Sequence, residues 1–454
     1  MNKSERSYWL RSGAFTMLDR LSLQIFRFAS FYLLVRGLSK AEFGTWTMFL
    51  VLCSFFEVIR QGFIQHALVR ALSLHEEMED RRKINSASLF LNFLLGILIS
   101  IALYGLSLLQ PYIWSFDMLS ELFLIYIITS FCLIPFFHFQ FVQQANLTFH
   151  GIFFSTLLRH AFFFGYVLYV YFSPDMEYDL IKLAWVQALA AGIGGITSIV
   201  FAWPFLHFSR QINLYWVKKL INFGKYVTGT NLGMILFKFL DQIILGMMIS
   251  PVVAAKKAVA GYSTAVRIGN LVEVPTQSIA AIVFPQSARQ HEDQGEDAVK
   301  DLYEKSTGVI MAMVIPGVLL VCLFPEQCLR FVAGDRYLDM AHVLQVVMLS
   351  SLLVPFSRQF STIMDAIGKP KLNFKLKMAG AAINALLLIL LIPLMQEMGA
   401  AIGTLLSYIF LVVAALIILH RELKVNPFQP IKFAFRLYFR GFRMIFKPLR
   451  GRAD

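Results

Sequence analysis

The chain has 454 residues, 57 % of them hydrophobic and 15 % aromatic, with a mean hydropathy of +0.64 and a formal net charge of +13. Soluble domains are about half apolar, with those residues dispersed, whereas here they form blocks of about 20 or more, the length that crosses a bilayer as a helix. This excludes a soluble globular chain and predicts an all-α polytopic membrane protein.

In chain order, the start MNKSERSYWLRSGAFTMLDRL is basic but lacks a short apolar region followed by a small-residue cleavage site, so it reads as a retained first helix and not a signal peptide. Twelve spans are predicted: 13–35, 43–64, 87–109, 118–140, 152–173, 180–203, 221–247, 258–284, 305–329, 340–366, 374–395 and 399–420. Pro135, Pro275, Pro316 and Pro355 lie inside spans, where each frees a carbonyl and bends the axis. Lysines and arginines in the connections are divided 27 against 7 between the two sides, with the larger set on the side of both termini. The bias places both termini in the cytoplasm. The longest connections, 65–86 and 285–304, fall on that side, and no loop is large enough to be a catalytic domain.

After residue 420 the sequence changes character. Lys432, Arg436, Arg440, Arg443 and Lys447 recur at steps of four, four, three and four, interleaved with Phe435, Tyr438, Phe439, Phe442 and Phe446. This spacing predicts an amphipathic helix lying on anionic lipids of the inner leaflet, with orientation anchoring as its plainest role.

Five features recur at nearly one offset. Asp19 matches Asp241, Gly44 matches Gly261, Glu57 matches Glu273, Gly96 matches Gly317, and Pro135 matches Pro355, at separations of 216 to 222. Five matches in order imply an internal repeat of six helices. An even number keeps both halves in the same sense, which predicts two pseudo-symmetric six-helix lobes around a central cavity. The expected divisions are 1–210, 211–420 and a basic tail, 421–454.

Charge inside hydrocarbon is costly and marks a site or a paired interior contact. Seven cations fall within spans, Arg20, Arg27, Arg60, Arg159, Lys238, Arg267 and Arg358, against the carboxylates Asp19, Glu57, Asp241 and Glu273. Arg20 and Arg27 are seven apart and share a helix face with Gln24. Glu57 with Arg60, and Lys238 with Asp241, have the i,i+3 spacing of neutralising pairs, whereas Arg159, Arg267 and Arg358 have no opposite charge at helical spacing. Two readings follow. In one, these groups form interhelical ion pairs that only fix packing. In the other, the surplus guanidinium groups line an aqueous cavity for an anionic cargo, which their planar fork suits if that cargo carries phosphate. Glu57 and Asp241 fit pairing; Asp19, Asp241 and Glu273 are the candidate carboxylates for H+ or Na+ coupling.

Other motifs carry less. The four cysteines and nine histidines are scattered without metal-ligand spacing, so no metal or other cofactor is expected. AGIGGI (191–196) and the Gly399/Gly403 pair read as helix packing, and Asn146-Leu-Thr falls in a cytoplasmic connection. Nothing points to nucleic acid.

LVRGLSKAEFGTW (34–46), LDQIILG (240–246) and AGYSTAVRIGNLVEVPTQSIAAIVFPQSAR (260–289) carry a resemblance. They are similar to the first extracytoplasmic turn and the seventh and eighth helices of polysaccharide flippases in the multidrug/oligosaccharidyl-lipid/polysaccharide exporter superfamily. The resemblance covers all twelve spans and implies a cationic cavity between two lobes. It also implies flipping of an undecaprenyl-diphosphate-linked oligosaccharide, with polysaccharide polymerase and glycosyltransferases as partners and a monomeric chain in the bacterial inner membrane. Lipid II flippases carry two further helices where this chain has its basic tail, which argues against that branch. A cation-coupled drug exporter of the same fold is the alternative, although it would want a carboxylate-rich cavity. A membrane polymerase or glycosyltransferase would show a large catalytic loop.

Overall fold

The structure, a computed structural model, describes residues 3–450 except 76, 115, 210, 273–275, 277, 278, 281, 282, 284, 285, 288, 289 and 291–294, with side chains from 15 to 439 apart from 226, 227, 230, 234 and 272. The described residues are helical and contain no strand. In the N-terminal half the helices are α1 (Lys3–Gly37), α2 (Lys40–Leu74), α3 (Met78–Ile113), α4 (Leu119–Ala145), α5 (Phe149–Phe172) and α6 (Leu180–Ala202). They continue with α7 (Leu214–Met248), α8 (Val252–Val272), α9 (Glu296–Leu323), α10 (Pro325–Val332), α11 (Ala341–Ser351), α12 (Val354–Ala366), α13 (Pro370–Leu423) and α14 (Gln429–Arg450).

Among the described residues nine helical segments are long and apolar enough to cross a membrane. The last of them, α13, holds two of the expected spans. Gln396 leaves helical geometry at φ 51 and ψ −125, and the chain folds back there. A methyl group on Gly399 would overlap the Leu391 carbonyl, Ser407 donates to Asn384 Oδ1 at 3.1 Å, and Gly380 packs against Leu411. Such pairs, ever further apart in sequence, define two antiparallel arms joined by close glycine packing. The first and eighth expected spans lie in α1 and α8, which are not among the nine, and part of the eighth lies outside the described residues.

The expected 65–86 connection is corrected. α2 runs on to Leu74 and α3 begins at Met78, so both helices extend about three turns past the predicted span ends and meet in a tight corner. Polar residues such as Arg70, Asp80 and Arg81 continue these helices because nothing in that stretch breaks them; it holds neither proline nor glycine.

By packing, the chain forms two compact units. The first comprises residues up to Ile235 together with Pro251–Ala260, and the second comprises Leu236–Ser250 together with the residues from Gly261 on. α7 and α8 each contribute to both.

Within the first unit, the Ser39-Lys-Ala-Glu42 part of the turn motif is a capping box. Ser39 Oγ accepts from Glu42 N at 3.2 Å and Glu42 Oε2 accepts from Ser39 N at 2.9 Å, which starts α2 at a fixed place. Gly44 then lies on the Lys256 carbonyl of α8, with no room for a Cβ. Lys256 falls in the connection expected between the spans 221–247 and 258–284, but it is 5 % exposed in the first turns of α8 and ion-paired with Asp117. Further along α2, Gly62 approaches Thr228 of α7 and Gly224 of α7 approaches Phe63. Small residues at each contact let the backbones close. Gly44→Val is therefore expected to destabilise the first unit by about 1–3 kcal/mol, through overpacking against backbone that cannot move aside; thermal unfolding of the detergent-solubilised protein checks it.

The repeat is not equally literal everywhere. Pro135 sits inside an uninterrupted α4, whereas Pro355 begins α12 after a break at Leu352 and Leu353. Proline suits the first turn of a helix because its missing N–H has no partner there anyway, so the same residue sits within one helix and restarts another.

Candidate functional site

The first unit brings most of its span charges into one group. Asp19, Arg20 and Arg27 come from α1, Glu57 and Arg60 from α2, and Arg159 from α5. Arg27 lies within electrostatic reach of Glu57, Arg159 and Asp19, and Asp19 within reach of Arg20, Arg27 and Thr156. Four guanidinium groups thus face two carboxylates among these residues. The i,i+3 spacing of Glu57 and Arg60 predicts a local pair, but the structure gives each a partner on α4. Tyr126 Oη donates to Glu57 Oε1 at 2.6 Å, and Arg60 donates through Nη1 and Nη2 to the carbonyl and hydroxyl of Ser130 at 2.7 and 2.5 Å. Arg60 is 2 % exposed, so it ties α2 to α4.

Arg27 and Arg159 are placed differently. Arg27 is exposed on α1, and Arg159 is half-buried with its guanidinium 4.8 Å from the centre of the Phe136 ring. Gly194 of AGIGGI makes room for it, since a Cβ there would lie 2.9 Å from Phe136 and 3.0 Å from the Arg159 Cβ. A cation stacked on one face of its fork keeps its in-plane N–H donors for a ligand.

Spacing missed Tyr126, Ser130, Thr156 and His160. His160, half-buried, lies within reach of both Arg159 and Arg27. Thr156 lies one turn before Arg159 and four residues before His160, so both were within reach of sequence reasoning; Tyr126 and Ser130 come from a helix some 70 residues away and left no local signal.

In the second unit the described predicted residues come from α7 (Lys238 and Asp241), α8 (Arg267) and α12 (Arg358). Asp241, 3 % exposed, accepts from Tyr262 Oη at 2.5 Å and from the Gln242 N–H at 2.8 Å. Tyr262 is the tyrosine of the AGYSTAV stretch quoted above, which thereby gains a physical reason. Lys238 is exposed, with its ammonium 5.3 Å from the Phe239 ring centre. Arg267 stands half-buried on α8, five residues beyond Tyr262. Arg358, exposed on α12, shares an electrostatic neighbourhood with Lys377 and Asp365. Glu273 lies outside the described residues. Among the described residues no group of three or more His, Cys, Asp or Glu side chains could hold a metal ion.

A helical chain with membrane-spanning segments and a group of cations inside them is a polytopic membrane protein with a candidate charged site, and comparison places it more narrowly. Residues 33–342 match the family described as "Polysaccharide biosynthesis protein", and the chain belongs to that family. It is similar to an uncharacterized membrane protein of Methanocaldococcus jannaschii, 27 % identical over 240 residues, covering 52 % of this chain and 45 % of that one. It is also similar to Agl15 of Haloferax volcanii, described as a probable low-salt glycan biosynthesis flippase, at 22 % identity over 218 residues, 48 % of this chain and 44 % of the relative. The chain thus spans about half the length of the curated relatives it matches. Among solved structures, an inward-facing MATE family transporter of the MOP superfamily aligns with a TM-score of 0.75 at 13 % identity, covering 88 % and 94 % of the two chains. The lipid II flippase MurJ in an inward closed conformation aligns with a TM-score of 0.74 at 12 % identity, covering 96 % and 99 %. The fold is that of MOP-superfamily transporters.

Proposed function

We propose that this chain is a flippase, not an enzyme, that carries an anionic undecaprenyl-diphosphate-linked oligosaccharide from the cytoplasmic to the outer leaflet by alternating access. The setting is cell-surface polysaccharide biosynthesis, O-antigen among its forms, at a bacterial inner membrane, with both termini in the cytoplasm. The observation that carries this reading is the surplus of four guanidinium groups over two carboxylates in the first unit. Arg27 and Arg159, which keep N–H donors available, meet the diphosphate; Arg20 adds field; Arg60 and Glu57 hold the helices that present them. Lys238, Arg267 and Arg358 supply cationic ground in the second unit.

The same fold serves the drug-exporting branch, so the two structural matches do not separate the alternatives. Charge does. A site for cationic drugs wants excess carboxylate, and this one has the opposite sign. An inside-negative potential assists expulsion of an anion by about 2.3 kcal/mol per charge per 100 mV when net charge crosses. If an H+ or Na+ gradient contributes, Asp19, Asp241 and Glu273 are the carboxylates for it. The chain acts as a monomer beside glycosyltransferases and a polymerase that make and use the cargo.

Deletion of the gene is expected to leave lipid-linked glycan accumulating on the cytoplasmic leaflet, with re-expression clearing it. Normal surface polysaccharide and no accumulation in the deletion strain would overturn the proposal.

A further inference from the structure

The tail helix α14 has two faces, and the structure accounts for only one. Its inner face is docked on α9. A Cβ on Gly308 would lie 2.8 Å from the Pro430 carbonyl and 2.9 Å from the Phe433 Cβ, and Tyr438 Oη donates to the Ala312 carbonyl at 2.5 Å. Ala434 is fully buried among Met311, Phe356 and Val412. Before the helix begins, the Asn426 N–H donates to Glu304 of α9 at 2.8 Å. The predicted surface helix is therefore a fixed part of the second unit and more than a trailing anchor.

The outer face carries Phe435, 53 % exposed, and Phe439, 68 % exposed, beside exposed Lys432 and Arg436. At about 100° per residue these four positions fill one contiguous sector opposite the docked face. The sequence of α14 contains six basic residues and no acidic one. Two bare phenylalanine rings exclude simple solvation as the role of this sector, and the cations exclude a purely apolar partner. A bilayer surface satisfies both, accepting rings at the acyl boundary and cations among anionic headgroups.

We propose that the outer face of α14 is a docking surface for anionic phospholipid, with Lys432 and Arg436 on the headgroups and Phe435 and Phe439 below them. Because the inner face is fixed on α9, the lipid charge bears directly on the second unit. The inference concerns a surface apart from the span arginines and stands or falls independently of the flippase reading.

The test uses the full chain in nanodiscs of phosphatidylcholine with or without phosphatidylglycerol. An environment-sensitive dye on Phe439→Cys, in a background with the four native cysteines replaced, reports the outer face. The expected result is blue-shifted emission, quenched by lipid-borne quencher, only when phosphatidylglycerol is present and weakened by high salt. Lys432→Ala and Arg436→Ala should each weaken that response about fivefold, whereas Tyr438→Phe, which alters only the inner face, should leave it unchanged. Equal emission in both lipids overturns the proposal, as does water-like emission in both. Protection that requires a second protein, or loss of the lipid response in Tyr438→Phe, also overturns it.

Discussion

Arg27→Ala and Arg159→Ala are each expected to abolish glycan export while leaving the amount of protein in the membrane unchanged. Neither residue holds the fold together as Arg60 does: Arg27 is exposed, and Arg159 lies half-buried over Phe136. Each offers a charged fork, and a charge-assisted hydrogen bond is worth about 1.5–3 kcal/mol, or roughly 10- to 100-fold in binding. Removing one fork from a diphosphate site leaves its charge under-compensated in a low dielectric, which multiplies the loss. Arg27→Lys, which keeps charge but not the planar fork, should retain a measurable fraction of export. Arg267→Ala in the second unit is expected to match the alanine variants of the first. Surface glycan, measured alongside membrane protein level, separates loss of transport from loss of folding; full export in Arg27→Ala and Arg267→Ala would sink the cationic-site idea.

Arg60→Ala should behave in the opposite way, losing protein before it loses transport. Its two hydrogen bonds to Ser130 join α2 and α4 in a fully packed region, and truncation removes both and leaves a cavity. A cost of about 2–4 kcal/mol follows from the lost buried hydrogen bonds and lost packing. Reduced thermal stability and reduced membrane abundance, with normal export per surviving molecule, is the expected pattern. Stability equal to the native chain would show that the Arg60–Ser130 contact does not hold these helices together.

The contrast between these two arginines shows what sequence could and could not reveal. Both were legible as span cations, since apolar blocks and intramembrane charges are one-dimensional signals. Which of them is structural was not, because Ser130 lies 70 residues from Arg60 and no helical periodicity reaches that far. Glu57 and Arg60 illustrate the same limit: the i,i+3 spacing makes pairing available, but Tyr126 is buried against Glu57 and takes its place. Lys256 falls between predicted spans, yet it lies inside α8 and pairs with Asp117, 139 residues earlier. Glycines told more. The Gly194, Gly195, Gly399 and Gly403 pattern reads as close helix packing from spacing alone; a Cβ on Gly194, Gly195 or Gly399 would press on a neighbouring side chain or backbone, and one on Gly403 would make ordinary contact with Leu388. The tail was legible as an amphipathic basic helix, yet its docking on Gly308 and Ala312 was not, because small residues on α9 carry no signal that names their partner.

The proposed role of the guanidinium surplus is to carry a lipid-linked anion across the membrane. Its most direct test is leaflet transfer in proteoliposomes containing the purified chain and a fluorescent polyprenyl-diphosphate-linked oligosaccharide, read by a membrane-impermeant quencher. The native chain should move the label between leaflets, the Arg27→Ala/Arg159→Ala double variant should not, and a cationic drug should not be exported by either. Transfer undiminished in the double variant, or drug transport without glycolipid transfer in the native chain, would contradict it.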